Sequence, residues 1–423
     1  MMRSLSFSIA ATCTLAFAVV GSAQDANYDE SKVPAYTLPE LLKFEDGSPV
    51  ATAEHWPKRR QELLELFGEH VYGHTPAKAK ETKLEAKVTQ AVTDFLGGKA
   101  SMKEVTLTFP GVVDGPALHL LVIAPKKAMG EPVPAFLGLN FRGNHSIHAD
   151  PRITLSENWM RPDKDGLVID NRSTEKARGT SASRWPVEMI IDRGYALATM
   201  YYGDIDPDFD DGFENGIHAV FGKPKANEWG SIGAWSWGLS RALDYLILDA
   251  QVDGAKVAVI GHSRLGKTSL WAGAQDQRFA FIISNDSGCG GAALNRREFG
   301  ETVKRINTSF PHWFNDRFPT YNDNIGALPV DQHEIIALMA PRPVYVASAA
   351  EDEWADPRGE FLSAKLASPA WELFGKVGVG VDEMPGIDQP VGDTVGYHIR
   401  TGKHDVTDFD WGRYLDFADR HVK

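Results

Sequence analysis

The stretch Val257-Ala258-Val259-Ile260-Gly261-His262-Ser263-Arg264-Leu265-Gly266-Lys267 constrains the chain most. Four consecutive apolar residues, mostly β-branched, read as a strand buried on both faces. A glycine and a serine follow, and residues 265–275 suit a helix that buries Leu265, Leu270 and Trp271. Two readings of the serine are open here. It caps the helix with its hydroxyl, or it sits in a strained turn that holds the hydroxyl clear of the sheet at the helix N-terminus. The strict form of the second pattern has glycine two places after the serine. Here that place is Leu265, and Gly266 comes one later.

Around this stretch, strand-like and helix-like segments alternate. Residues 54–71 predict a helix whose apolar stripe is Trp56, Leu63, Leu64, Leu66 and Phe67. Residues 83–88, 103–108 and 117–124 read as strands separated by Gly/Pro turns, an antiparallel start to a sheet. The apolar run 134–139 ends in Asn140-Phe141-Arg142-Gly143-Asn144-His145, where Gly143 would let the backbone approach a substrate. Residues 195–200 predict a buried strand, and the acidic run 204–211 a solvated loop. That run lacks the glycine and terminal glutamate of a helix–loop–helix calcium site. A helix over 232–248, strands at 281–284, 343–347 and 395–399, and a closing helix over 408–422 complete the pattern. Alternation of this kind predicts a three-layer αβα sandwich with a mostly parallel sheet, an α/β-hydrolase fold. With no repeat, low-complexity tract or linker, residues 24–423 read as one catalytic domain.

Residues 1–23 read as a signal peptide. Arg3 supplies the positive region, residues 5–20 the apolar core, and Gly21-Ser22-Ala23 a small-residue cleavage site. A secreted or periplasmic protein is expected. Its removal leaves Cys289 as the only thiol, so packing without an internal disulfide must hold the fold. The formal charge of −13 argues against nucleic acid and anionic membranes as partners.

A serine hydroxyl needs a base within hydrogen-bond reach, itself oriented by a carboxylate. In this fold class the chain order is serine, acid, histidine. His404, after a strand-like run and before the final helix, fits the third place. Two acids are open: Asp352, after strand 343–347, and Asp286, after strand 281–284.

The sequence from Gly261 to Lys267 resembles the G-x-S-R-x-G-K elbow of the glucuronoyl esterases, carbohydrate esterase family fifteen, which accounts for the displaced glycine. Asn285-Asp286-Ser287-Gly288-Cys289-Gly290-Gly291 resembles that family's N-E-S-G-x-G-G, with aspartate in place of glutamate. Trp313-Phe314, Trp354-Ala355-Asp356-Pro357 and His404 follow in family order. The likeness spans Trp56 to the C-terminus. It implies Ser263 as nucleophile, His404 as base, and Arg264 as an oxyanion donor. It implies Lys267 and Glu301 on the uronate hydroxyls, Trp354 closing over the sugar, and Trp313 lining the cleft. Between the acids, Asp352 is favoured and Asp286 kept as partner or alternative, because the aspartate is one methylene short of the usual glutamate. Two cations at the positive end of a helix dipole are unfavourable unless Glu301 or a polar substrate compensates them.

The expectation is thus a monomeric serine esterase acting on esters of (4-O-methyl-)glucuronic acid, as in lignin–glucuronoxylan cross-links. No cofactor is expected, and no metal, since no H-E-x-x-H spacing occurs. The rivals are an acetyl-removing carbohydrate esterase and a non-catalytic carbohydrate-binding relative.

Overall fold

The computed structural model describes residues 26–110 and 115–423; the predicted signal peptide lies outside the described residues. A nine-stranded sheet runs through the molecule. Its strands are β1 (Glu85–Phe95), β2 (Ala100–Thr108), β3 (Leu118–Pro125), β4 (Val133–Asn140), β5 (Ala196–Tyr201), β6 (Val252–His262), β7 (Phe281–Asn285), β8 (Val344–Ala349) and β9 (Val395–Arg400). In space they lie in the order β1-β2-β3-β5-β4-β6-β7-β8-β9. The first three pair antiparallel, as predicted, and β3 meets β5 antiparallel. From β5 to β9 every pairing is parallel.

The alternation of side chains along β6 shows why its apolar run is unbroken. Val257 and Val259 join a core with Leu239, Leu243 and Leu270 on one face. Ala258 and Ile260 join a second core with Ile190, Trp411 and Tyr414 on the other. Helices Ser231–Leu246, Arg264–Gln275 and Pro357–Ala367 cover the first face, and Val187–Asp192 with Asp408–Val422 cover the second. This is the three-layer sandwich of an α/β-hydrolase.

The predicted helix over 54–71 is an α-helix only from Trp56 to Phe67, and then widens into a π turn, Gly68–Tyr72. A side chain at Gly68 would collide with the His74 ring, 2.5 Å from its Cβ position. The closing helix begins at a capping box formed by Thr407 and Asp410.

The order β5-β4-β6 places the site. Between β4 and β5 the chain crosses one face through Val187–Asp192, and between β5 and β6 it crosses the other through Ser231–Leu246. Connections leave in opposite directions around β4, and a crevice opens beyond the carboxyl ends of the strands at such a switch point. Ser263 lies at that end of β6, Asp286 at that of β7, Asp352 beyond β8 and His404 beyond β9.

Candidate active site

Ser263 has φ +57° and ψ −128°, a backbone conformation that a non-glycine residue rarely keeps without reinforcement. The reinforcement is visible. Its N–H donates to Asn285 O (2.9 Å), and its carbonyl accepts from Gly266 N (2.8 Å) and Lys267 N (3.2 Å). Its hydroxyl caps no helix N–H, so the capping reading falls away. Gly261 is required, because a Cβ there would lie 1.8 Å from the Leu265 carbonyl oxygen. The displaced second glycine has an equally local cause. Leu265 buries its side chain in the core, and Gly266 makes the close approach, 2.9 Å from Cβ position to Ser287 Cβ.

His404 Nδ1 lies 2.6 Å from Asp352 Oδ2, which leaves Nε2 for the cleft. Of the two candidate acids, Asp352 holds this bond. Backbone bonds from Glu351 N to Gly402 O (2.9 Å) and from Ala350 N to Arg400 O (2.8 Å) keep the acid loop and the histidine loop together. The buried Arg400 guanidinium then gathers the histidine loop, donating to the carbonyls of Thr401, Lys403 and Asp405 while its Nε bonds Asp410. Beneath His404 lies His262, ring centroids 4.5 Å apart, its Nδ1 2.6 Å from Asn285 Oδ1. Burial first, then the proximity of His404, holds the His262 pKa far below normal, so this neighbour is neutral.

Asp286 sits differently. Neither carboxyl oxygen meets a hydrogen-bond donor among the described residues, and Arg400 stands 3.5 Å away. Burial, then the nearby Glu360 and Asp352 carboxylates, push its pKa well up. Ligand-type atoms of Asp286, Asp352 and His404 lie within 4.8 Å of one another, the arrangement of a metal triad. The short Asp352–His404 bond and the Arg400 cation 3.5 Å from Asp286 describe a proton-handling set better than an ion cage.

Ser263 and His404 open on one cleft of about 400 Å³, lined also by Arg264, Lys267, Asp286, Glu301, Trp313, Asp352 and Trp354, so every predicted site residue is gathered there. Among the described residues the hydrogen bond of the His404 ring is the one to Asp352, and a serine–imidazole contact commonly tightens only around substrate. The Asn140–Asn144 loop does not line this cleft. The space that a Gly143 side chain would fill is taken by His145 and Met160, so that glycine serves packing and not substrate approach.

Both helix-terminal cations are compensated. Lys267 Nζ donates to Ser287 O and lies 3.7 Å from Glu301 Oε2, both side chains buried. Burial raises the Glu301 pKa against the pull of Lys267 and Arg264. Arg264 pairs with Asp208, a residue of the acidic run predicted to be a solvated loop. That prediction is corrected: Asp204, Asp206 and Asp208 are all buried. Asp208 accepts from Trp313 Nε1 (2.8 Å), His312 Nε2 (3.0 Å) and Tyr202 Oη (3.1 Å) besides Arg264. Burial alone would raise its pKa; the His312 bond, the Arg264 charge and the Trp313 bond outweigh it and hold the carboxyl well below the usual range. The Arg264 guanidinium meanwhile sits 4.7 Å from the Trp313 ring and 5.5 Å from Phe310. Those rings stack 3.8 Å apart. Trp313 thus lines the cleft mainly as a wall behind Arg264, whereas Trp354 stands exposed at the rim.

Known proteins are similar to this chain. A family model for fungal glucuronyl esterases matches residues 179–375. Carbohydrate esterase MZ0003 of an unknown prokaryotic organism is 52% identical over 94% of this chain and 92% of that protein. 4-O-methyl-glucuronoyl methylesterase 1 of Wolfiporia cocos is 36% identical over 82% of this chain and 74% of its own length. A solved CE15 esterase described as promiscuous, from a marine bacterial metagenome, has a TM-score of 0.88 at 51% identity, covering 94% of this chain and 100% of that one. A glucuronoyl esterase from Solibacter usitatus gives 0.87 at 50%, over 93% and 100%. With elbow, histidine, acid and cation pair housed in one cleft, and with these likenesses running along nearly its whole length, the chain belongs to carbohydrate esterase family 15, the glucuronoyl esterases.

Proposed function

We propose that this carboxylic ester hydrolase works in two steps through Ser263, His404 and Asp352, and that its bond is the ester joining (4-O-methyl-)glucuronic acid of glucuronoxylan to a lignin alcohol. Ser263 Oγ attacks the uronate carbonyl while His404 Nε2 takes its proton, and Asp352 holds the imidazolium that forms. The tetrahedral oxyanion faces the N–H of Arg264, the first residue of the elbow helix, and the Arg264 guanidinium. A preorganised donor of this kind contributes about 3 kcal/mol. Collapse expels the alcohol, which takes the proton back from His404. Water then attacks the acyl-enzyme with His404 again as base, releasing uronate and free Ser263. Lys267 and Glu301 hold the sugar hydroxyls, with Trp354 over the ring.

The observation that carries the reading is the 2.6 Å His404–Asp352 bond in the same cleft as Ser263 and the Lys267–Glu301 pair. The apolar N-terminal segment supports export to where plant cell wall is met. Benzyl glucuronate, an aryl acetate and acetylated xylan test it together. Wild type should prefer the glucuronate ester, Ser263→Ala should lose turnover and fluorophosphonate labelling, and Lys267→Ala should lose glucuronate activity about tenfold more than aryl-acetate activity. Preference for acetylated xylan would make the enzyme a deacetylase. Equal losses on both esters would take Lys267 out of sugar recognition.

A further inference from the structure

Among the described residues the most exposed Phe, Tyr and Trp side chains are Tyr28 at 48% and Trp354 at 37%. Trp354 lines the cleft, and Tyr28 belongs to a segment packed beside the Trp354 loop. Tyr28 belongs to the N-terminal arm, which is tied down: Asn27 O accepts from Gly300 N (2.8 Å), and Glu30 pairs with Arg297 (2.6 Å). Arg297 in turn bonds Asp356 (2.8 Å), two residues beyond Trp354, and Glu301 N donates to Trp354 O (2.9 Å). A side chain at Gly300 would lie 2.5 Å from the carbonyl oxygens of Glu353 and Trp354, so arm, Gly300 and the Trp354 segment pack without a gap. The Tyr28 ring meets Phe299 edge to face, centroids 6.2 Å apart. Burial and then the Glu353 and Asp352 carboxylates raise its phenol pKa, which agrees with this placement.

Exposed aromatic rings held rigidly beside a polar cleft mark a ligand surface, and a sugar presents its C–H face to such a ring. Glu301, which lines the cleft with its partner Lys267, is joined to Trp354 by that backbone bond. Exposed Glu351, Glu353 and Asp29 there disfavour a polyanion. We propose that Tyr28 extends the Trp354 platform into a second subsite, on which a neutral sugar residue of the chain bearing the uronate stacks. The assignment rests on the uronate lying against Lys267 and Glu301, as in the proposed function.

The test compares benzyl glucuronate with the benzyl ester of a glucuronate-bearing xylo-oligosaccharide. Tyr28→Leu keeps an apolar contact for Phe299 but removes the flat ring. Its loss of kcat/KM on the oligosaccharide ester, mostly in KM, should exceed its loss on benzyl glucuronate by about fivefold, the scale of one aromatic contact. Tyr28→Phe should recover most of that loss. Equal losses on both substrates would overturn the subsite. So would a larger loss on benzyl than on methyl glucuronate, which would place the leaving alcohol on Tyr28. A second measurement needs no turnover: titration of a neutral xylo-oligosaccharide into Ser263→Ala with and without Tyr28→Leu. Weaker binding in the double variant supports the platform even if wild type cleaved no glucuronate ester, an outcome that would sink the proposed function alone. Identical binding overturns the platform.

Discussion

Asp286 and Asp352 are both buried carboxyls close to His404, yet their surroundings differ in kind. Asp352 receives the Nδ1 bond at 2.6 Å, whereas Asp286 has no donor on either oxygen among the described residues, and burial with neighbouring carboxylates favours its neutral form. A carboxyl whose anion is disfavoured stabilises an imidazolium poorly. Asp352→Asn, which favours the wrong tautomer, should therefore lower kcat by about 10³ to 10⁴. Asp286→Asn, nearly isosteric with the protonated acid, should cost far less. Turnover of both variants on benzyl glucuronate settles the ranking, and the reverse order would hand the orienting role to Asp286. Asp208 acts one step further out, through Arg264. Asp208→Asn keeps an oxygen for Trp313 but loses the charge that anchors the guanidinium. We expect kcat to fall by about 10- to 100-fold with little change in KM, since the interaction matters once the oxyanion forms. A loss confined to KM would mean that Arg264 grips the ground state instead.

The elbow element depends on backbone clearance more than on side-chain chemistry. With Leu265 O only 1.8 Å from a Cβ at Gly261, Gly261→Ala must push strand β6 and its helix apart. Ester hydrolysis should drop by orders of magnitude and the melting temperature should fall; a fully active variant would show that the turn is slacker than its geometry. This element was legible in the chain because its signals are local: a β-branched run, a glycine, a serine and a helical stripe, all within residues 257–275. The serine–acid–histidine order was legible too, as were the strands whose faces are both buried. The choice of acid was not, since it turns on which carboxyl oxygen points at one nitrogen. Nor was Asp208, whose partners Arg264, His312 and Trp313 lie 56, 104 and 105 positions away. An acidic run looks solvated until those distant donors are folded against it. Arg400 left only a faint signal, a cation ending a mostly apolar strand.

Across the whole molecule, two sets of buried groups set the pH range of stability. Burial pushes Asp206 and Glu360 up to about 8 and Glu334 up to about 7, so folding disfavours the ionised form of each. A raised pKa gives stability that is complete below the unfolded value and is lost as pH rises through the folded one. Burial lowers His145 and His333 to about 4 and His218 to about 3. These depressed histidines give stability present above their unfolded value and lost as pH falls toward the folded one. Between about pH 4.5 and 6.5 the two sets oppose each other, and the melting temperature should be nearly level. Below that window the histidines, joined by carboxyls held low such as Asp208 and Asp410, lose stability as pH falls, and above it the raised acids lose it as pH rises, so stability should fall on both sides. Glu360 isolates the alkaline limb. One oxygen accepts from Ser287 N (2.8 Å) and Gly288 N (2.9 Å), and Ser348 Oγ lies 2.6 Å from the other. Glu360→Gln keeps an oxygen for both N–H groups and cannot ionise, so its melting temperature should fall less than wild type between pH 6.5 and 8. The two N–H bonds favour the anion and burial opposes it. A variant whose alkaline slope matches wild type would show that the N–H bonds win and that Glu360 is already charged at neutral pH.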